Sequence, residues 1–551
     1  MVFSSAPFIF IFLPVVFLAY ALMPGLKAKN AMLTIASLFF YAYGEPLFVL
    51  VMLGSIVLNY ILARMIAGAA GNAAPAFNVS ESNNNPVAVS GSAEAAVTPA
   101  GRTHTSAQRA LLAAAVVCNL LLIGVFKYAG FFVQTINDVT GAGIPVPQIA
   151  LPIGISFFTF QALSYVIDVY RDTSTVQKDL GKVLLYISFF PQLIAGPIVK
   201  YHDIAPYLES RTQNIDEITL GIHRFVTGLA KKMFLANSMG AVADMMFGLP
   251  EADMSAGTAW IGAVCYTMQI FFDFSGYSDM AIGIGHMFGF TIKENFDHPY
   301  ISTSIKDFWR RWHISLSTWF KEYLYIPMGG SRVSLARTEM NKLIVFFATG
   351  LWHGASWNFV IWGMIHGIAI VVEDLAGRML PGRADHAAGS GRLSQADIPS
   401  RIDRDAAGSG KGIAAGSGKG IAVAGSGKGR KFSLSAAVGW IYTILIVIFA
   451  FVLFRADTLT DGLLMIREML TGFGSAVADP AAAYNTCMEA LNAYNITLFT
   501  AACFCCTPHP KLNEKLRERG AGSYIVTALL FILCVLEIAG ASFNPFIYFR
   551  F

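Results

Sequence analysis

The sequence predicts an all-α, polytopic membrane protein with about 11 transmembrane helices. Of its 551 residues, 55% are hydrophobic and only 13% are charged, whereas a soluble protein carries about 25% charged residues. The apolar residues fall in long runs, many of them near the roughly 20 residues that a helix needs to cross a bilayer. Lipid offers the backbone no hydrogen-bond partners, so these runs are expected to be helical. Apolar runs that are too short or too charged to cross are expected to be re-entrant or amphipathic helices.

The chain divides into five segments. Apolar runs predict N-terminal transmembrane helices over 1–67, a central core over 109–376 and C-terminal transmembrane helices over 433–551. Between them, 68–108 is rich in small and polar residues, and 377–432 contains three near-copies of AGSGKG. Both segments lack the apolar surface that offsets the entropy of ordering, so we expect flexible loops. Glycine, not Ser or Thr, follows each repeated Lys, which excludes a phosphate-binding loop.

Charge and flanking residues set expectations about location. The apolar run from Phe8 to Met23 has no basic residue before it, so we expect a first span rather than a cleaved signal. Lys27 and Lys29 follow it, which favours a cytoplasmic loop there and an extracytoplasmic N-terminus. We therefore expect a multi-pass protein of the cell membrane, inner or plasma, in contact with lipid. The net charge of +4 is small and scattered, so no nucleic-acid partner is predicted, and the seven cysteines predict no metal site.

Polar residues inside apolar runs are costly in lipid and are functional candidates by default. The segment 191–202, PQLIAGPIVKYH, breaks an apolar run at Pro191. Broken helices at membrane depth occur where the backbone lines a cavity or is buried in protein, so Gln192 is a candidate to face a cavity. A simple packing kink is the alternative.

Two carboxylates lie in the next apolar run, QIFFDFSGYSDMAIGIG at 269–285. Asp273 and Asp279 are six residues apart and point in different directions on an ideal helix, while Tyr277 shares a face with Asp273. A paired acid–base site is therefore not predicted. We favour a structural role in which each carboxylate accepts hydrogen bonds that hold neighbouring segments together.

The segment 295–332, NFDHPYISTSIKDFWRRWHISLSTWFKEYLYIPMGGSR, is too charged to span a membrane. Its aromatic residues alternate with Lys and Arg, a pattern typical of the membrane interface. We predict an amphipathic helix on the cytoplasmic face that carries His313 inward. In the alternative, the helix lies on the surface and His313 is one more polar residue.

His353 lies in an apolar run, 343–372, that has no charged residue. Burial disfavours the imidazolium, so a neutral ring that can accept a proton is expected. On one continuous helix Trp357 would share the face of His353, and His366 would point away. Trp352 and Trp357 are candidates to line a cavity. The alternative is a hydrogen-bonded core histidine.

Together these stretches resemble the membrane-bound O-acyltransferase superfamily, in its alginate O-acetylation branch. The stretches that carry the resemblance are PQLIAGPIVKY, FFDFSGYSDMAIGIGHMFGF, ENFDHPYISTSIKDFWRRWHISLSTWFKEYLYIPMGGSR, TGLWHGASWNFVIWG, the FRAD of Phe454–Asp457 and the terminal NPFIYFRF. The resemblance implies many helices around a central funnel. It also implies an essential histidine in an apolar span, which maps onto His353, and a second histidine in the amphipathic segment, which maps onto His313.

The resemblance further implies an O-acyltransferase. It would take an acyl group, most simply acetyl, from a cytoplasmic thioester such as acetyl-CoA and pass it across the membrane for O-acetylation of an extracytoplasmic polysaccharide or carrier. No permanently bound cofactor is expected. We do expect a separate periplasmic acetyltransferase-like partner protein. Lys306, Arg310 and Arg311, with Trp309, are candidates to meet donor phosphates, or else they anchor the segment at lipid headgroups. D-alanyl transfer to a cell-surface polymer, a transporter or export channel, and a non-catalytic scaffold are the rival functions.

Overall fold

The fold is known from a computed structural model. It describes residues 1–69, 104–171, 174–379, 434–473, 480–509, 520–540 and Phe546. In these ranges all regular structure is helical, as the composition predicts. The two segments expected to be flexible loops fall almost entirely outside the described residues.

We number the α-helices in chain order. Helices α1 to α9 are Leu13–Leu22, Gly25–Gly44, Phe48–Gly68, Ser106–Ile123, Ala129–Thr140, Ile155–Tyr170, Leu180–Ser188, Phe190–Leu193 and Tyr201–Glu209. Helices α10 to α16 are Ile215–Ala230, Asn237–Phe247, Ala256–Met287, Ile305–Arg311, Ile314–Phe320, Leu335–His353 and Trp357–Met379. Helices α17 to α21 are Leu434–Arg455, Leu459–Thr471, Pro480–Ala490, Ala493–Cys505 and Ala521–Gly540. Turns of wider π-helix extend or join several of them, at Phe8–Phe12, Gly124–Tyr128, Lys231–Ala236 and Lys321–Tyr325.

Among the described residues, five helical segments are long and apolar enough to cross a membrane. These are α3, the joined α4–α5 segment Ser106–Thr140, α16, α17 and α21. Shorter apolar helices lie at Phe8–Leu22, Ile155–Tyr170 and Ala493–Cys505. The chain is thus a multi-pass helical membrane protein, while the count of 11 crossings stays a prediction.

The longest helix, α12, forms the centre of the bundle and is buried over most of its length. It begins at a capping box in which the Ser255 hydroxyl accepts from the Thr258 N–H. It then packs closely on α10, because a side chain on Gly228 would lie 2.5 Å from the Gly276 carbonyl oxygen. Only glycine permits backbones to approach this closely.

The run through 343–372 was expected to form one helix, and that expectation is wrong. Helix α15 ends at His353, Gly354 is extended (φ −159°, ψ 153°), and α16 begins at Trp357. The two helices pack side by side, since a side chain on Gly350 would lie 2.4 Å from the Phe359 carbonyl oxygen. The break places His353 at a helix end, where its surroundings come from other parts of the chain.

Two further breaks concern the predicted site. The run through 191–202 is broken, as Pro191 suggests: α7 ends at Ser188, α8 covers only Phe190–Leu193, and α9 begins at Tyr201. The amphipathic segment is two short helices, α13 and α14, rather than one. His313 lies between them with a left-handed backbone (φ 45°, ψ 53°).

Candidate active site

The end of α15 places the His353 side chain among aromatic rings. Its ring centroid lies 4.9 Å from the ring of Trp352, 4.9 Å from that of Trp362 and 5.3 Å from that of Phe454. The residue is only 6% exposed. The His313 ring lies 6.3 Å away. The structure therefore brings together the two histidines that the sequence singles out, 40 positions apart in the chain.

The fully buried His313 is held by a residue that the sequence analysis missed. The amide oxygen of Asn295 lies 3.2 Å from His313 Nδ1, and it also accepts from the Ser315 N–H at 3.2 Å and the Ser315 hydroxyl at 2.9 Å. The Asn295 amide nitrogen donates to the Ser278 hydroxyl on α12 at 3.2 Å. Phe274 packs against the imidazole at right angles, 4.7 Å between centroids. These contacts fix the ring orientation.

The last carbonyl groups of α15 are satisfied from outside the helix. A helix leaves its final four carbonyls without partners of its own. Here the Gly354 N–H donates to the Gly350 carbonyl at 3.3 Å, and the Tyr128 hydroxyl donates to the Leu351 carbonyl at 2.6 Å. Tyr128 belongs to the π-helical turn between α4 and α5.

The neighbouring Lys127 completes this cap. Its ammonium donates to the carbonyl of Trp352 at 2.5 Å and to that of His353 at 3.2 Å, and it lies 3.4 Å from the hydroxyl of Ser156 at the start of α6. The sequence analysis did not select Lys127. One feature of the sequence could have identified it: Lys127 is an ionisable residue directly after the apolar run 109–126, and such residues are functional candidates.

The two carboxylates of α12 each pair with cations from the preceding segment. Asp273 pairs with Lys232, and both side chains are almost fully buried. Asp279 lies 2.6 Å from both Arg224 and Lys231. These ion pairs join α12 to α10 and its π-helical extension, and the structural role of the two carboxylates stays a prediction.

Gln192 and Tyr277 are both buried. The amide nitrogen of Gln192 donates to the Tyr186 carbonyl at 2.5 Å, and its amide oxygen has no hydrogen-bond partner among the described residues. Tyr277 stacks on Phe3 at 4.7 Å and meets Phe546 edge-on at 5.0 Å. Residues near both ends of the chain therefore contact the same position of α12.

The cations proposed for the donor entrance have carboxylate partners. Lys306 pairs with Asp374, Arg310 lies 3.1 Å from Asp307, and Arg311 contacts Asp307 at 3.1 Å and Asp297 at 3.2 Å. Burial lowers the pKa of Lys306, and the nearby charge of Lys342 lowers it further. The side chain of Arg310 is 64% exposed, so it is the most accessible of these cations.

Trp309 faces inward rather than toward the surface. It is buried and lies 5.8 Å from Trp362 and 5.4 Å from His366, measured between ring centroids. Trp362 contacts both histidines, with ring centroids 4.9 Å from His353 and 5.2 Å from His366. The indole N–H of Trp309 and of Trp362 and both ring nitrogens of His366 have no hydrogen-bond partner among the described residues. Buried polar groups of this kind usually bind water or a ligand.

The two tryptophans proposed as cavity-lining residues differ. Trp352 is buried beside His353 and packs on Phe157 at 5.2 Å. Trp357 is 48% exposed and contacts Phe131 at 5.6 Å. The helix break after His353 explains why Trp357 does not share its face. An apolar cavity of about 270 Å³ lies elsewhere, lined by α11, α12, α19 and α20.

Two buried imidazoles thus lie next to each other inside this helical membrane protein, and an imidazole in its neutral form can accept a proton from a hydroxyl. The chain belongs to the membrane-bound O-acyltransferase family, whose model matches residues 177–383. It is similar to a probable alginate O-acetylase of Azotobacter vinelandii, with 34% identity over the whole of both chains. It is also similar to a probable alginate O-acetylase of Pseudomonas aeruginosa, with 42% identity over 68% of this chain and 66% of that protein. A peptidoglycan O-acetyltransferase of Helicobacter pylori is 36% identical over 68% of this chain and 70% of that protein. The chain is therefore an O-acyltransferase.

Proposed function

We propose that this O-acyltransferase takes an acetyl group from a cytoplasmic thioester, acetyl-CoA being the simplest donor, and delivers it for O-acetylation of an extracytoplasmic polysaccharide or carrier. The observation that carries the proposal is the pair of buried rings, His353 and His313, 6.3 Å apart between centroids. The relatives named as alginate O-acetylases and as a peptidoglycan O-acetyltransferase support the acetyl group and a polysaccharide acceptor. Lys27 and Lys29 support a cytoplasmic start to α2.

In the proposed reaction His353 is the general base. Its neutral imidazole takes the proton from an acceptor hydroxyl, and the hydroxyl oxygen attacks the thioester carbonyl carbon. The new C–O bond forms as the C–S bond breaks, and the imidazolium returns its proton to the leaving thiolate. General-base catalysis of this kind contributes roughly 10²–10⁴ in rate. The surrounding rings exclude water and so limit hydrolysis of the thioester.

His313 is proposed to position the donor end. Its Nδ1–H donates to the amide oxygen of Asn295, which holds the ring beside His353. Groups held in this way matter because a misplacement of roughly 1 Å can cost about 10²-fold in rate. Arg310, the most exposed of the candidate cations, would meet the donor phosphates.

The direct test is transfer of labelled acetyl groups by membrane vesicles that contain the protein. Wild-type vesicles should move radiolabel from acetyl-CoA into a polysaccharide fraction, and His353→Ala vesicles should not, with equal amounts of inserted protein. His223→Gln is the matched control, because it removes a partly buried imidazole that contacts Thr527 rather than the candidate site. Normal transfer by His353→Ala would refute the mechanism.

The same vesicles separate the rival functions. A transporter or export channel would move an intact labelled solute without moving the acetyl group. A non-catalytic scaffold would tolerate loss of His353 and His313 together. Transfer of label that requires an added periplasmic protein would support the proposed partner, with this chain passing the acyl group across the membrane.

A further inference from the structure

We propose that Lys127 is a positioning residue for acyl transfer, because it fixes the helix end that carries His353. This inference rests on the proposed function. Lys127 bonds the main-chain carbonyl of the same residue whose imidazole acts as base. A displacement of this carbonyl therefore moves the ring.

The contacts of the ammonium match its chemistry. A lysine side chain has three N–H donors, and Lys127 meets three oxygens: the carbonyls of Trp352 and His353 and the hydroxyl of Ser156. Helix carbonyls carry partial negative charge at a C-terminus, so a cation there is favourable. Each donor thus has an acceptor, and the side chain has one well-defined position.

The usual way to end a helix is not used here. Helices very commonly close with a glycine in the left-handed conformation, but Gly354 is extended. An ionisable residue in an apolar helix is unfavourable in lipid. Stability alone therefore does not explain why a lysine caps the end of α15. The lysine does connect three elements at one point: the turn Gly124–Tyr128, the start of α6 and the end of α15.

The experiment compares three substitutions in membrane vesicles supplied with labelled acetyl-CoA. Lys127→Met removes charge and donors, Lys127→Gln keeps a donor without the charge, and Lys127→Arg keeps both. We expect Lys127→Met to lower kcat by about 10- to 100-fold, the size of effect that a misplacement of roughly 1 Å produces. The KM for acetyl-CoA should stay unchanged, because the proposal gives Lys127 contacts with protein oxygens and none with the donor. Lys127→Gln should be intermediate and Lys127→Arg should keep most of the activity.

Lys182→Met is the matched control. It removes a lysine from an exposed ion pair with Glu209 and should leave kcat unchanged. Wild-type kcat in Lys127→Met, or a rise in KM alone, would overturn the proposal. If Lys127→Met does not accumulate in the membrane, Lys127→Gln and Lys127→Arg decide, and equal kcat in these two would overturn it.

The outcome also separates this inference from the proposed function. A wild-type protein that transfers no label refutes the proposed function itself. An active wild type, an inactive His353→Ala and a fully active Lys127→Met refute only the role of Lys127.

Discussion

At the scale of single residues, His313 combines an unfavourable backbone conformation with a buried polar ring. Residues other than glycine rarely adopt positive φ, and such strain persists where the surrounding structure fixes it. Asn is among the residues that tolerate this conformation best. The substitution His313→Asn therefore separates the backbone requirement from the chemistry of the imidazole.

We predict that His313→Asn inserts and folds normally but loses acyl transfer by about 10²-fold, the effect of misplacing reacting groups by roughly 1 Å. The measurement is label transfer from acetyl-CoA together with the melting temperature in detergent. His298→Asn is the matched control, because His298 also has φ 45° but contacts the exposed Asp297. Wild-type transfer by His313→Asn would show that the ring has no part in the reaction.

The sequence identified the two histidines but not the residues that hold them. A histidine in an apolar run and a histidine among interfacial aromatics are both visible in the sequence. Asn295 and Lys127 are single polar residues whose importance depends on contacts 18 and 226 positions away. No local pattern encodes such distances, so these two residues emerge only from the fold.

At the scale of elements, the packing of α15 on α16 sets the position of the His353 helix. A methyl group on Gly350 would lie 2.4 Å from the Phe359 carbonyl oxygen, whereas one on Gly377 would meet nothing within 4 Å. We predict that Gly350→Ala destabilises the protein by about 1–3 kcal/mol, the usual cost of overpacking, and lowers transfer. Gly377→Ala should leave both unchanged. The measurements are thermal unfolding in detergent and label transfer, and equal behaviour of the two variants would contradict this packing.

The buried ion pair between α12 and the turn before α11 gives a second prediction about elements. Asp273→Leu leaves the buried ammonium of Lys232 without its carboxylate, which costs about 3–5 kcal/mol. The double variant Lys232→Met/Asp273→Leu should recover most of this loss, because it removes both charges. The free energy of unfolding in detergent, measured for the single and the double variant, tests this prediction.

An exposed ion pair supplies the control for this prediction. Glu209→Gln removes the pair with Lys182 and should cost no more than about 1 kcal/mol. A double variant as unstable as Asp273→Leu would show that the pair does more than balance charge.

The helix breaks show where element-level prediction fails. Pro191 marks a break that the sequence reveals. The break after His353 carries no proline, and an apolar run of 30 residues, 343–372, favours a continuous helix. The break is possible because Lys127 and Tyr128, from another part of the chain, donate hydrogen bonds to the last carbonyls of α15. Contacts between distant parts of the chain thus decide where the helix ends. Trp357 therefore begins a new helix and does not share the face of His353.

At the scale of the whole molecule, composition alone predicts a helical membrane protein, and the long matching stretches predict its family. The number of crossings does not follow, because apolar helices such as α6 and α20 are shorter than a membrane span requires. Access to the site is also a property of the whole molecule. His353 is 6% exposed, so the aromatic rings around it leave little of its surface open to substrates.

The central claim is that the imidazole of His353 performs acyl transfer to a surface polymer. The most direct measurement is mass analysis of the acetyl content of surface glycans from cells that lack the protein and are complemented with wild type, His353→Ala or His223→Gln at equal membrane levels. The account predicts acetylated glycan with wild type and His223→Gln and none above background with His353→Ala. Full acetylation with His353→Ala would contradict it.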